Sequence, residues 1–145
     1  MAACAAAVML AACSGGGGGL SAGLTASMDR PGASLNRADA LAILNDYRRA
    51  MGAAAMRPDP LLDAMAQDLA AGYAQSGKPP ARPPGAVGLR VSAGYATFAE
   101  TFSGWRNSPP DAAVLAERAA TRAGLGVTYD ANSTYGVYWV LVLDD

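Results

Sequence analysis

Tyr135-Gly136-Val137-Tyr138-Trp139-Val140-Leu141-Val142-Leu143 lies almost at the end of the chain and decides how the rest is arranged. Seven consecutive apolar residues, rich in β-branched and aromatic types, read as a strand. Alternate positions do not switch to polar, so both faces need cover. The stretch is therefore a central strand with helices packed on each side. Immediately before it, Gly124 to Tyr129 reads as a partner strand, and Asp130 to Thr134 as the connection between the two. Gly124 and Gly126 sit where a helix must approach a strand closely.

Helical patterns occupy most of the remaining chain. Asn36 is a candidate N-cap for a helix from Arg37, in which Leu41, Leu44, Tyr47 and Met51 recur at helical spacing with Ile43 beside them, and Gly52 ends it. Asp59 caps a second helix whose first position is Pro60, where a missing N–H costs nothing. Its stripe is Leu62, Met65, Ala66, Leu69 and Tyr73, and Gly77 stops it. Lys78 to Gly88 carries Pro79, Pro80, Pro83 and Pro84, which excludes helix and central strand, so an extended surface segment is expected. Val91 to Tyr95 is open to either a short strand or a turn. Thr97 and Glu100 have capping-box spacing and open a third helix to about Arg106, with Phe98, Phe102 and Trp105 on one face. Ser108-Pro109 starts a short fourth helix through Arg118. Helices first and strands last predict an α/β (α+β) domain, a small three-layer α-β-α sandwich ending in antiparallel strands, over residues 37–145.

Composition restricts the chemistry. The 145 residues contain no histidine, and the only cysteines are Cys4 and Cys13. No Ser-His-Asp or Cys-His device can be assembled, and no imidazole can hold zinc. The net charge of −1 and the lack of a basic cluster with interleaved aromatics argue against nucleic acid as a partner.

The N-terminus reads as an export segment. Ala2 to Ala12 is apolar and small, too short to span a bilayer, and ends in Leu10-Ala11-Ala12-Cys13, which resembles a bacterial lipobox. Residues 1–12 are then a lipoprotein signal peptide, with Cys13 the lipid-attachment site and new N-terminus. No Lys or Arg precedes the apolar run, so the true start is expected upstream or the segment truncated. Residues 13–36 follow as the lipidated cysteine and a Gly/Ser/Ala linker, whose flexible length of some 22 residues averages about 25 Å end to end. The mature chain keeps a single, acylated cysteine, and no disulfide forms.

With these elements in place, the chain resembles the CAP superfamily (cysteine-rich secretory proteins, antigen 5 and pathogenesis-related 1 proteins), in particular its bacterial single-domain branch. The resemblance covers about Ala38 to Leu143. It rests on Asn45 and Arg48 followed by Gly52; on Asp59-Pro60-x-Leu62 with Ala66 and Ala70; on Trp105-Arg106-Asn107-Ser108-Pro109; on Gly124-Leu125-Gly126-Val127; and on Tyr138-Trp139. Independently of the family, Asn45 and Arg48 lie three apart on one helix face, positioned either to brace a neighbouring loop or to stay exposed. Trp105 and Trp139 offer large buried area.

The resemblance implies a surface cleft in which metal-binding members use two histidines and two glutamates. This chain departs from that set. Gly88-Leu89-Arg90 stands where the family has Gly-Glu-Asn, and Asp111 stands for a histidine after Ser108-Pro109. Glu100 alone keeps an acidic residue. Expected cleft residues are Glu100, Asp111, Trp105 and Arg90, with no metal and no cofactor. The predicted function is a non-catalytic, membrane-anchored extracytoplasmic domain that binds an envelope protein, glycan or apolar ligand. It is expected to be monomeric and tethered to the outer membrane facing the periplasm, since Ser14 and not aspartate follows Cys13. Two alternatives stay open. One is a hydrolase of cell-envelope material using the carboxylates of Glu100 and Asp111 alone. The other is a lipid or sterol carrier with a groove lined by Phe98, Phe102, Met51 and Met65.

Overall fold

A computed structural model describes residues 19–145; Cys4, Cys13 and the export segment lie outside the described residues. In chain order the elements are α1 (Ala22–Thr25), α2 (Arg37–Ala50), β1 (Arg57–Pro58), α3 (Pro60–Ser76), β2 (Gly88–Ala93), α4 (Phe98–Asn107), α5 (Pro109–Leu115), β3 (Arg122–Tyr129) and β4 (Val137–Asp144). The four strands form one sheet in the order β1-β3-β4-β2. β4 runs antiparallel to both β3 and β2, while β1 pairs parallel to β3.

The helix boundaries follow from their caps. Asn36 Oδ1 accepts the Asp39 N–H at 3.0 Å and starts α2. Asp59 Oδ1 accepts the N–H groups of Leu61 and Leu62 at 2.8 and 3.2 Å and starts α3. Gly77, at φ 66°, ends α3 in the left-handed conformation that a side chain disfavours. Thr97 and Glu100 form a complete capping box at the start of α4. The Ser108-Pro109 helix is shorter than its sequence suggests and ends at Leu115.

β4 is interior in the sheet and buried on both faces. One face carries Val140 and Val142, packed with Leu89 against Leu62, Ala66 and Ala70 of α3. Tyr138 on the same face meets Tyr73 and Ala74. The other face carries Val137, Trp139, Leu141 and Leu143, packed against Leu41 and Leu44 of α2, Phe98, Phe102 and Trp105 of α4, and Leu115 of α5. The result is the three-layer α-β-α arrangement.

β3 meets α3 backbone to backbone. A Cβ on Gly124 would sit 2.0 Å from the carbonyl carbon of Leu62, and one on Gly126 would sit 2.3 Å from that of Ala66. Only glycine fits at either position. Beyond β1, the free edge of β3 is covered by side chains. Asp63 Oδ1 accepts the Leu125 N–H at 2.9 Å, Gln67 Nε2 donates to the Val127 carbonyl at 2.8 Å, and Arg37 Nε donates to the Leu125 carbonyl at 2.7 Å. These bonds satisfy backbone groups that would otherwise offer a pairing template.

One expectation needs correction, one strand is longer than expected, and one was not anticipated. Residues 20–36 are not all linker: α1 lies there, Leu24, Met28 and Leu35 are buried in the main core, and the Met28 N–H donates to the Ala96 carbonyl at 2.7 Å. The folded domain therefore begins well before Arg37. Of the two readings open for Val91 to Tyr95, the strand is formed as far as Ala93, and it is longer than expected because β2 begins at Gly88 directly after the proline-rich stretch. β1, two residues long and half proline, had no periodicity to reveal it.

Candidate functional site

Asn45 and Arg48 both brace loops. Asn45 Nδ2 donates to the Met56 carbonyl at 3.0 Å, and its Oδ1 accepts the Met56 N–H at 2.9 Å. Arg48 is fully buried. Its guanidinium donates to the carbonyls of Ala54, Leu115, Glu117 and Ala120 at 2.8–3.1 Å. Desolvation lowers its pKa and the nearby Glu117 partly offsets this. Arg48 is thus the internal tie between the end of α2 and the turn that follows α5.

The two tryptophans act similarly. Trp105 Nε1 donates to the Val91 carbonyl of β2 at 3.0 Å, and Trp139 Nε1 donates to the Tyr95 carbonyl at 2.9 Å. Trp105 is only 2% exposed, so it belongs to the core and does not face a cleft. Trp139 is also buried, and its bond fixes the chain at Tyr95 beside Gly94, a glycine at φ 97°.

Glu100 stands at the start of α4. Its Oε2 accepts from the Thr97 N–H and hydroxyl, both at 3.0 Å, while its own N–H donates to Thr97 Oγ1 at 3.2 Å. It lines an open cleft of about 490 Å³ with Tyr95, Ser103, Gly104, Asn107 and Ser108. Ser108 supplies the N-cap backbone of α5, its carbonyl accepting the Ala112 N–H at 2.8 Å, and Pro109 takes the first helical position.

Asp111 is not among the residues that line this cleft. It pairs instead with Nη1 of Arg90 across the junction of α5 and β2, with each side chain 28% exposed. Arg90 borders a separate groove formed by Pro80, Arg82, Val87, Gly88, Leu89 and Val114. Leu89, the neighbouring position, faces the opposite way and packs with Val140 and Val142 under α3. Of the four expected cleft residues, the structure therefore leaves Glu100 in one cleft, joins Arg90 to Asp111 at another, and buries Trp105.

The expected apolar groove is also redistributed. Phe98 and Phe102 are core, 1% and 5% exposed, whereas Met51 and Met65 are exposed at 52% and 40%. Met65 lies on α3, in the helical layer opposite Phe98 and Phe102. Helical spacing alone does not say which side of the sheet a helix covers. Tyr95 is the cleft residue that sequence reasoning missed; its signal was an aromatic immediately after a glycine, just before a helix cap.

The profile of the cysteine-rich secretory protein family, CAP, matches residues 41–143. The chain belongs to the CAP family. Solved structures with the same fold include an outer surface protein from Borrelia burgdorferi, at 13% identity and a TM-score of 0.59, covering 72% of this chain and 88% of that one. An extracellular protein containing an SCP domain from Bacillus anthracis aligns at 15% identity and a TM-score of 0.61 over 74% of this chain and 40% of its own length. A cysteine-rich secretory protein from Staphylococcus aureus aligns at 12% identity and a TM-score of 0.57 over 74% of this chain and 38% of its own. This CAP domain thus spans about two fifths of the latter two proteins. No curated protein sequence matches the chain.

The metal that the family resemblance implies does not fit these residues. Two of the expected ligand positions hold Leu89 and Asp111, and Asp111 already neutralises a guanidinium. Glu100 spends one carboxylate oxygen on its helix cap. Among the described residues no group of three His, Cys, Asp or Glu side chains is gathered for a metal ion.

Proposed function

We propose that this CAP domain works by contact, binding an envelope partner or ligand without catalysis and without a metal. The Arg90–Asp111 pair carries the reading. A positively charged guanidinium sits against the carboxylate that would have to accept either a divalent cation or a proton in any hydrolytic role. The other carboxylate, Glu100, lines a different cleft and is held by Thr97. A paired general acid and base needs both groups on one substrate.

The domain is read as extracytoplasmic, in keeping with relatives described as an outer surface protein and an extracellular protein. Its attachment is through a lipid on Cys13, its membrane the outer one, its face the periplasm, and its state monomeric. Support for the anchor comes from the Leu10-Ala11-Ala12-Cys13 segment and from Ser14 after it.

Calorimetric titration of the tag-free protein with zinc tests the metal-free reading: no saturable heat at micromolar zinc is expected, and a stoichiometric micromolar site overturns it. Incubation with peptidoglycan fragments tests the non-catalytic reading: unchanged fragments are expected, and cleavage that Glu100→Gln abolishes would establish the carboxylate hydrolase instead. Labelled palmitate incorporation, lost in Cys13→Ser, tests the anchor.

A further inference from the structure

We propose that the open cleft along α4 is a subsite for a neutral oligosaccharide, with Tyr95 as its stacking platform. The inference rests on the contact-binding reading above and names the ligand class for one cleft.

Tyr95 is 42% exposed yet held in place. Its carbonyl accepts from the buried Trp139 indole at 2.9 Å, and the left-handed Gly94 turns the chain just before it. The ring lies against Gly104: a Cβ there would be 3.1 Å from Tyr95 Cε2 and from its hydroxyl oxygen. The Cε2–hydroxyl side of the ring is thereby packed on the helix, while the residue keeps 42% of its surface exposed. A fixed, half-exposed tyrosine offers large contact area at little entropic cost.

Polar groups continue from the platform along the same helix. Glu100, Ser103, Gly104 and Asn107 fall at positions i, i+3, i+4 and i+7, one face of α4. From Glu100 to Asn107 the helix rises about 10 Å, the length of about two pyranose rings. Glu100 Oε2 is engaged by Thr97, which orients the carboxylate and leaves Oε1 with no protein donor among the described residues. Asn107 Nδ2 donates only weakly, at 3.4 Å, to Ser103 Oγ, and its amide oxygen has no protein donor among the described residues. Carboxylate, amide and hydroxyl groups beside an aromatic ring match the alternating hydroxyl and C–H faces of a sugar. Glu100 is the one charged side chain lining the cleft, which disfavours uronic acids and phosphorylated ligands and excludes a purely apolar one.

The test titrates the full chain with chitotetraose and with cellotetraose, followed by amide chemical shifts and by chromatography of the sugar. Saturable shifts confined to residues 95–108, from at least one of the two at millimolar concentration, are expected. Tyr95→Ala should weaken binding about tenfold at unchanged melting temperature, the loss of one aromatic contact. Should Tyr95→Ala melt early, Gly104→Ala gives the same reading, since its methyl pushes the ring by a few tenths of an ångström while suiting the helix; a weaker affinity is expected. No saturable shift with either sugar overturns the subsite. Saturable shifts elsewhere also overturn it and leave contact binding standing, whereas shortened sugar in the sample overturns contact binding itself.

Discussion

The two helical layers of this domain are attached to the sheet by opposite means. On one side, α3 lies directly on β3, and the contact depends on side chains being absent at Gly124 and Gly126. On the other, α2, α4 and α5 stand off on large side chains, and several of those reach across to backbone carbonyls: Arg48 to four of them, Trp105 to β2, Trp139 to Tyr95. The first layer is a fixed lamination. The second is a set of struts, and both the Glu100 cleft and the Arg90–Asp111 pair fall on that side.

Removing the longest strut should do the most damage. Arg48→Met removes the donor to four carbonyls, of which the buried ones of Leu115 and Ala120 are left unsatisfied at about 1–3 kcal/mol each, against a total stability of about 5–15 kcal/mol for a typical domain. Loss of cooperative folding is expected in thermal or urea melts, and a cooperative transition within a few degrees of the parent would break the comparison. Arg48→Lys sharpens it, since one ammonium cannot reach all four acceptors and should recover only part of the loss.

Gly126→Ala comes next. Its methyl would have to push the α3 backbone away from β3 or twist the strand, an overpacking cost of about 3 kcal/mol. Urea denaturation measures it, and an unaltered midpoint would show that the lamination is not tight. Arg90→Leu is smaller. Its partner Asp111 is partly solvated, so the pair is worth about 1 kcal/mol or less after screening. A fall greater than that, measured in the same assay, would make this pair a structural strut in place of a surface tie.

The smallest effect is on the tight side and depends on pH. The Leu62 N–H, then the Arg122 hydrogen bond, hold the Asp59 carboxyl below its ordinary value despite some desolvation. Arg122 reaches Asp59 and Asp144 at 2.7 Å each, tying the start of α3 to the ends of β3 and β4. Because the folded state releases this proton more readily than the unfolded one, Asp59 stabilises the domain above about pH 4, and that stability is lost as pH falls through the depressed folded value. Asp59→Asn should flatten the acid limb of the stability curve. An identical acid slope in wild type and variant would remove Asp59 from the lamination.

Local signals were legible in both layers, and the ties between distant segments were not. Asp59-Pro60, Gly77 and the Gly124-x-Gly126 pair are local signals, each acting through its own backbone. The run from Val137 to Leu143 announces burial on both faces, whatever covers it. By contrast, the Arg90–Asp111 pair joins residues 21 apart through a strand, a turn and two helices. Its sequence trace was two unusual residues at family positions, which gave the substitution but not the bond. The cleft at Glu100 was anticipated through the family likeness, while the placing of Tyr95 depends on Trp139 and Gly104, and its one local mark was an aromatic after a glycine just before a helix cap. The packing of Leu24 and Met28 left only a weak one, two apolar residues four apart in a Gly/Ser/Ala background.

That packing shortens the leash. With Leu24 lodged in the core and the chain emerging near Leu20, an acyl group at Cys13 would sit only seven residues away, no further than about 25 Å at full stretch, where departure at Arg37 would permit about 80 Å. A domain moored in that way would sweep only the skin of a membrane, and whatever it met would have to come to within a protein's width of the lipid headgroups.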